Sequence, residues 1–442
     1  MAAISPFRGI FYNPTKIHHL ADVVTPPYDV ISESQRLMYQ DRHPQNIIRL
    51  ILNNGRTDTH PEAWARQAAD HFQTWRSERA LIRDTSPAVY FTALDFPFGS
   101  GIATRYGLIA RVGLEPFEKG IILPHEQTFS QIKSERLALM KACHANFSPV
   151  FSLYSDPDSH IIGALKTAVG KNQPDIDFSD EIDQRHRLWR ISDEDVHGFI
   201  SEQMETKRIF IADGHHRYET ALDYRQSLSR DHPGLPVEHP SNSIMMSLCN
   251  MEDPGLVILP AHRIVNSLKE AQVSTVVEKS SQYFDVATIP FPEPSRKEAV
   301  VEVVSRLQSG ASANTIGVYR KDDPNIYILT LKPGTMDLKF GKTLAAPLLD
   351  LDVIVLTHLL LMDILGFDKN RLDNDKLIHY SSREELAIEA VSSGRSDIAF
   401  ILNPTKIDQV QRIAVEGLVM PRKATYFYPK VVTGLVINDL VD

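Results

Sequence analysis

The chain has little sulfur and no block of one charge. Two cysteines, Cys143 and Cys249, stand among 442 residues, and neither belongs to a CxxC pair. This argues against a disulfide framework and against a cysteine zinc site. Both thiols read as small buried hydrophobes in a reducing compartment, and a cytoplasmic location is expected. The formal net charge of −9 is spread along the sequence, without an acidic tail and without runs of Lys or Arg. The sequence therefore lacks the footprint of a protein that binds nucleic acid or an anionic membrane. The opening MAAISPFRGI lacks the basic region and long apolar run of a signal peptide. The longest apolar stretch, LLDLDVIVLTHLLLMDILG, is broken by Asp350, Asp352 and His358, so it reads as a buried helix and not a membrane span. Neither GxGxxG nor GxxxxGKS occurs, which removes the dinucleotide fingerprint and the P-loop.

What is present is an ordinary globular composition, 43% hydrophobic and 23% charged, on a chain too long for one core. Two domains are expected, residues 1–264 and 265–442. Residues 62–82 carry helical spacing through Trp64, Ala68, Phe72 and Trp75. AVYFTALDF and YGLIARVGL, joined by a GSG turn, predict a hairpin over 88–112. Asn46 to Leu52 reads as a short apolar strand, and 352–365 as one long helix. Strands and helices alternate, but several strands are hairpin-linked, so the class is mixed α/β or α+β.

The densest polar constellation is RIFIADGHHRYETAL. An apolar strand delivers Asp213, Gly214, His215, His216 and Arg217 to the start of a helix. Free backbone N–H groups and the helix dipole attract anions there. The two histidines and Arg217 add donors and positive charge. Asp213 can act as a base or hold a divalent cation beside a phosphate. The bland alternative is a capped helix after a DG turn; four polar residues around one glycine favour a site.

A second segment, LPHEQTFSQIKSER, places His125 and Glu126 in a loop, with Lys133 and Arg136 further on. Glu126 is a candidate general base, and the two cations could take phosphate oxygens. The spacing is not that of HExxH. A solvated loop explains this motif equally well. The Pro-punctuated N-terminus offers Arg8, Asn13, Tyr28 and Asp29 as pocket residues on rigid loops, although a purely structural role is the simpler reading. HANFSPVF offers Asn146 and Ser148, with a turn role equally good. LPAHR offers His262 and Arg263. The stretch KATYFYPK, with Lys423, Tyr426 and Tyr428, is more in keeping with core.

These blocks together resemble a bacterial and archaeal family catalogued as domain of unknown function 1015. The likeness runs through PFRGIFYNP, TPPYDVI, LPHEQT, HANFSPVFSLY, IADGHHRYETAL, NMEDPGL, LNPT and TYFYPK, and covers nearly the whole chain. The DGHHR core also resembles the DGHTR-type loop of free-serine kinases with the ParB/sulfiredoxin fold. The resemblance implies a ParB/sulfiredoxin-like core with large insertions, followed by a C-terminal α/β region. It also implies phosphoryl transfer between pyrophosphate, or a nucleotide, and L-serine, with Mg²⁺ or Mn²⁺ as cofactor. Carried over, Asp213, Gly214, His215, His216 and Arg217 match the phosphate loop, with Lys133 and Arg136 beside it. Glu126 matches the activating glutamate; from the residues themselves, His125 is a further catalytic candidate and Asp213 the metal position. Tyr28, Asp29, Asn146, Arg8, His262 and Arg263 are the expected substrate contacts. Two alternatives remain at this stage: a ParB-like nucleotide-binding regulator, and a metal-dependent phosphatase using the histidines as ligands. The region after 265 would complete the pocket or form a homodimer surface. No nucleic-acid or membrane partner is expected.

Overall fold

The computed structural model describes residues 2–53, 61–126, 130–292 and 296–441. Internal contacts divide the chain into two units, Met1–Val257 with Pro429–Asp442, and Ile258–Tyr428. The boundary thus falls at 257 where the sequence suggests 264, and the C-terminal segment counts with the first unit. The physical reason is backbone pairing. Thr433 bridges Thr25, Ile437 bridges Ile10, and Asn438–Asp439 pair with Ala145–Asn146.

The first unit is built on a nine-stranded sheet. Its strands are β1 (Ile4–Ser5), β2 (Val89–Phe98), β3 (Gly101–Gly113), β4 (Ile122–Leu123), β5 (Val150–Tyr154), β6 (Ile176–Ser179), β7 (Arg185–Ile191), β8 (Ile209–Asp213) and β9 (Ser243–Asn250). The order is β4-β8-β5-β9-β3-β2-β7-β6, with β1 on β3. β8–β4 and β9–β5 are parallel, and the other pairs antiparallel. The β2–β3 hairpin turns at Gly99, whose φ of 60° is the left-handed conformation that such a tight connection requires. Helices α1 (Glu33–Arg42), α2 (Pro61–Ser77), α3 (Ser130–Cys143), α4 (His160–Val169), α5 (Glu194–Glu205) and α6 (His215–Asp231) belong to this unit.

Period-2 alternation decides which face each strand residue covers. Leu108, Ala110 and Val112 of β3 and Ile244, Met246 and Leu248 of β9 pack with Ile161, Leu165, Ile200, Met204, Tyr218 and Tyr224 of α4, α5 and α6. Their neighbours Ile109 and Met245 belong to the opposite cluster, with Phe7, Tyr90, Leu188, Leu435 and Val436. A third cluster joins Trp64, Ala68, Phe72 and Trp75 of α2 to Leu139 and Cys143 of α3, which is the stripe the sequence shows. The run at 46–52 is a helical turn, Ile48–Ile51, and not a strand. Asn46 accepts the Ile48 N–H through its side chain, which starts the turn. Ile47, Ile48, Leu50 and Ile51 are buried and Arg49 alone is half-buried, so one polar position in a single turn is too little to show the period.

The second unit holds strands β10 (His262–Val265), β11 (Phe284–Pro290), β12 (Thr315–Arg320), β13 (Asn325–Leu331), β14 (Ile378–Ser381) and β15 (Ile398–Ile401). They form one antiparallel sheet, in the order β11-β13-β12-β15-β10-β14, with an apolar cluster on each face. The helix expected over 352–365 is α only over Asp352–Val355 and continues as a π-helix over Leu356–Ile364. Such a long π stretch is uncommon. It buries the consecutive Leu359, Leu360 and Leu361. Among the described residues, no helix is long and apolar enough to cross a membrane.

Candidate active site

The loop between β8 and α6 is shaped by three local features. The β8–β5 register shifts between Ile211 and Asp213, a bulge that re-aims the end of the strand. Gly214 then adopts φ 98°, which a side chain would resist. A Cβ at this position would lie 2.8 Å from Arg217 Nε, so the missing side chain is what lets Arg217 fold back over the turn. Finally, the N-cap position of α6 is Gly214 itself, which has no side chain to cap the first turn beginning at His215.

Arg217 and Lys430 flank Asp213. Lys430 Nζ donates to Oδ2 at 3.0 Å, and Arg217 Nη2 lies 3.5 Å from Oδ1. A second nitrogen of Arg217, Nη1, donates to the Pro149 carbonyl. Asp213, Arg217 and Lys430 all have side chains less than 16% exposed, so these charges act through little solvent. Lys430 arrives on the returning C-terminal segment, whose preceding carbonyl, Pro429, accepts from buried Arg105 at 2.8 Å.

His125 and His215 are buried parts of the scaffold. His125 Nδ1–H donates to the Ile211 carbonyl at 2.7 Å, and burial pushes its pKa down to about 4. The His125 backbone N–H donates to His215 Nε2 at 3.2 Å, with the two rings edge to face. His215 is therefore an acceptor at Nε2, and burial, then His125, holds it well below the usual histidine range. This corrects the expectation that His215 contributes positive charge: a ring this deep keeps its neutral form. His216 is half-buried, and its pKa is lowered mainly by burial, against the pull of Glu219 and Asp29.

Around this core the structure gathers most of the expected residues. Lys133 pairs with Glu219 at 2.7 Å. Arg136 is buried, donates Nη1 to the Ile51 carbonyl at 2.7 Å, and stacks on Tyr28 with its guanidinium carbon 4.2 Å from the ring centre. Tyr28 lies in the field of Arg136, Asp29, Arg217 and Asp213, and burial raises its pKa. Glu126 is partly exposed and directly follows His125; residues 127–129 lie outside the described residues. A cavity beside Arg217 is lined by Tyr28, Arg136, Asn146, Ser148, Arg217 and Thr220 over an apolar wall that includes Ile51, Phe147 and Ile244.

Other expected residues are placed elsewhere. Arg8 is exposed and donates Nε to the Asp84 carbonyl, because β-pairing around Phe7 and Ala88 turns it to the surface. Asn13 closes a turn by accepting from Thr15. His262 and Arg263 belong to β10 of the second unit. There His262 Nδ1 accepts the Leu402 N–H, and Arg263 Nη2 donates to the Lys423 carbonyl. Sequence reading missed Lys430 and Thr220. Thr220 could have been found, since it sits three residues after Arg217 on the same helix face. Lys430 ends the TYFYPK block that carries part of the resemblance, but nothing in that aromatic stretch sets it apart as a site residue. Among the described residues no group of three His, Cys, Asp or Glu side chains converges as a metal cage.

A family model described as a protein of unknown function (DUF1015) matches residues 4–354. The chain belongs to the DUF1015 family. No curated protein matches the sequence. Among solved structures, a conserved hypothetical protein from Pyrococcus furiosus aligns at 13% identity and a TM-score of 0.34, over 74% of this chain and 92% of its own. A free serine kinase in complex with AMP aligns at 13% identity and a TM-score of 0.33, over 73% of this chain and 86% of its own. SbnI with a C-terminal truncation, from Staphylococcus aureus, aligns at 10% identity and 0.33, over 72% and 84%.

Proposed function

We propose that this DUF1015 chain is a phosphotransferase that moves a phosphoryl group between pyrophosphate, or a nucleotide, and the hydroxyl of L-serine. With it goes the ParB/sulfiredoxin-like core implied by the DGHHR loop. The observation that supports the reading most is the glycine N-cap of α6, with Asp213 held between Arg217 and Lys430. Backbone N–H groups and two cations meet there, which suits a multiply charged phosphate. Donor and acceptor identity rest on the sequence resemblance.

In this reading His216, Arg217 and Lys430 hold the phosphate oxygens, and Lys133 adds charge at the rim. His125 and His215 are positioning residues that keep the loop in register. Glu126, which matches the activating glutamate in the sequence resemblance, is the acceptor of the serine proton in this reading. A divalent cation, Mg²⁺ or Mn²⁺, would neutralise phosphate charge when bound. Asp213 would hold it, since an ion brought in on phosphate needs only one or two carboxylates. Transfer of this kind depends on position and charge more than on covalent steps.

The test is phosphoserine formation by the purified chain with L-serine, Mg²⁺, and pyrophosphate, ATP or ADP in turn. Product is expected with at least one donor. Asp213→Asn and Glu126→Gln should each lower the rate by about two orders of magnitude or more, with the fold intact by circular dichroism. No phosphoserine with any donor, and no reverse reaction from phosphoserine and orthophosphate, would overturn the reading.

A further inference from the structure

The cavity beside Arg217 has a lining that the phosphate loop does not use. Arg136 Nε and Thr220 Oγ1 are buried without a hydrogen-bond partner among the described residues, as is Arg217 Nε. Arg136 is 8% exposed and Thr220 0% exposed, so water offers neither of them much compensation. Asn146 is oriented by its surroundings: its Oδ1 accepts from the Met245 N–H at 3.2 Å and from Asn438 at 3.0 Å, which leaves its amide NH₂ as a donor. Among the described residues no carboxylate lines the cavity, and its wall is apolar through Ile51, Leu139, Met140, Phe147 and Ile244. Two guanidinium groups, a hydroxyl and an amide around a small, half-apolar space describe a receptor for a compact organic anion. Pyrophosphate fits it poorly. Its charge is multiple and strongly hydrated, and the polar mouth of α6 suits it better.

We propose that this cavity is the carboxylate subsite of the acceptor, resting on the phosphotransferase reading above: Arg136, Asn146 and Thr220 hold the α-carboxylate of a small amino acid whose hydroxyl points toward Asp213 and Arg217. Arg136 thereby moves from a phosphate ligand to an acceptor ligand. The acceptor class becomes a hydroxyl-bearing α-amino acid with a free carboxylate, and an amino alcohol without one is refused.

The experiment is calorimetric titration of the full chain, without any donor, using L-serine, ethanolamine and pyrophosphate as separate probes. Two near-isosteric variants are used, Thr220→Val and Asn146→Asp, each checked for an unchanged melting curve. Thr220→Val is expected to weaken L-serine about tenfold, and Asn146→Asp, which sets a carboxylate against a carboxylate, about a hundredfold or more. Ethanolamine should not bind, and pyrophosphate should bind all three proteins alike. Loss of pyrophosphate affinity in Thr220→Val would make the cavity a phosphate site and overturn the proposal. So would L-serine binding that neither variant changes, or no L-serine binding at all. A chain that binds L-serine with these losses but phosphorylates nothing would leave the subsite standing and remove the transfer reading alone. Phosphoserine formed at an unchanged KM for serine in both variants would do the reverse.

Discussion

At the scale of single residues, the site depends on groups held in states their free forms would not choose. His125 is buried, with its pKa down at about 4, and His215 lies well below the usual range. A histidine with a depressed folded value binds its proton more readily in the unfolded chain. The neutral pair therefore stabilises fully above pH about 6.5, and that stability is lost as pH falls toward about 4. The unfolding free energy should drop over this window by on the order of 3 kcal/mol for His125 alone. His125→Asn, which keeps a donor for the Ile211 carbonyl, should flatten that acid limb in denaturant titrations at several pH values. An unchanged limb would mean the histidine is not held neutral. Gly214 makes a second case. At φ 98°, with a Cβ expected 2.8 Å from Arg217 Nε, Gly214→Ala should cost about 1–3 kcal/mol of stability. It should also displace Arg217 and lower turnover at least tenfold. Thermal melts alongside kinetics check both, and a fully active variant would contradict the account.

At the scale of elements, the segment after Pro429 matters most. It brings Lys430 to Asp213, pairs at Thr433, Ile437 and Asn438, and buries Leu435, Val436 and Ile437. Ile437→Ala, far from the chemistry, should destabilise the first unit by about 2–4 kcal/mol. Activity should fall beyond what the melting point explains, because the segment also positions Lys430; kinetics well below the transition would show this. How much of this was legible in the sequence follows from range. The strand–turn–helix at 209–231, the β2–β3 hairpin and the stripe of α2 are local, and periodicity and turn residues disclosed them. The helical turn at Ile48–Ile51 looks like a strand in the sequence because a single turn with one polar residue, Arg49, is too short to show a helical period. The change from α to π at Leu356 has no local sequence mark.

At the scale of the molecule, family membership and the α6 loop were legible, while the assembly of the site was not. Glu126, Arg136 and Asp213 each carry a local signal. Lys430, separated from Asp213 by 217 positions, sits in the TYFYPK block but with no sign of a role there, and only the return of the chain to the first unit brings it in. The same return explains why a single cut at 264 could not describe the units. The LPAHR stretch offers His262 and Arg263 as pocket residues on their polarity alone. In the second unit they belong to β10, in a strand with every residue buried.

The central claim is that the start of α6, with Arg217 and Lys430, is the phosphate site. The most direct measurement is calorimetric titration of pyrophosphate with Mg²⁺ into the wild-type chain and into Lys430→Met. Binding to the wild type is expected at roughly one site per chain, weakened at least about tenfold in Lys430→Met. No binding to the wild type, or equal affinity in the variant, would contradict it.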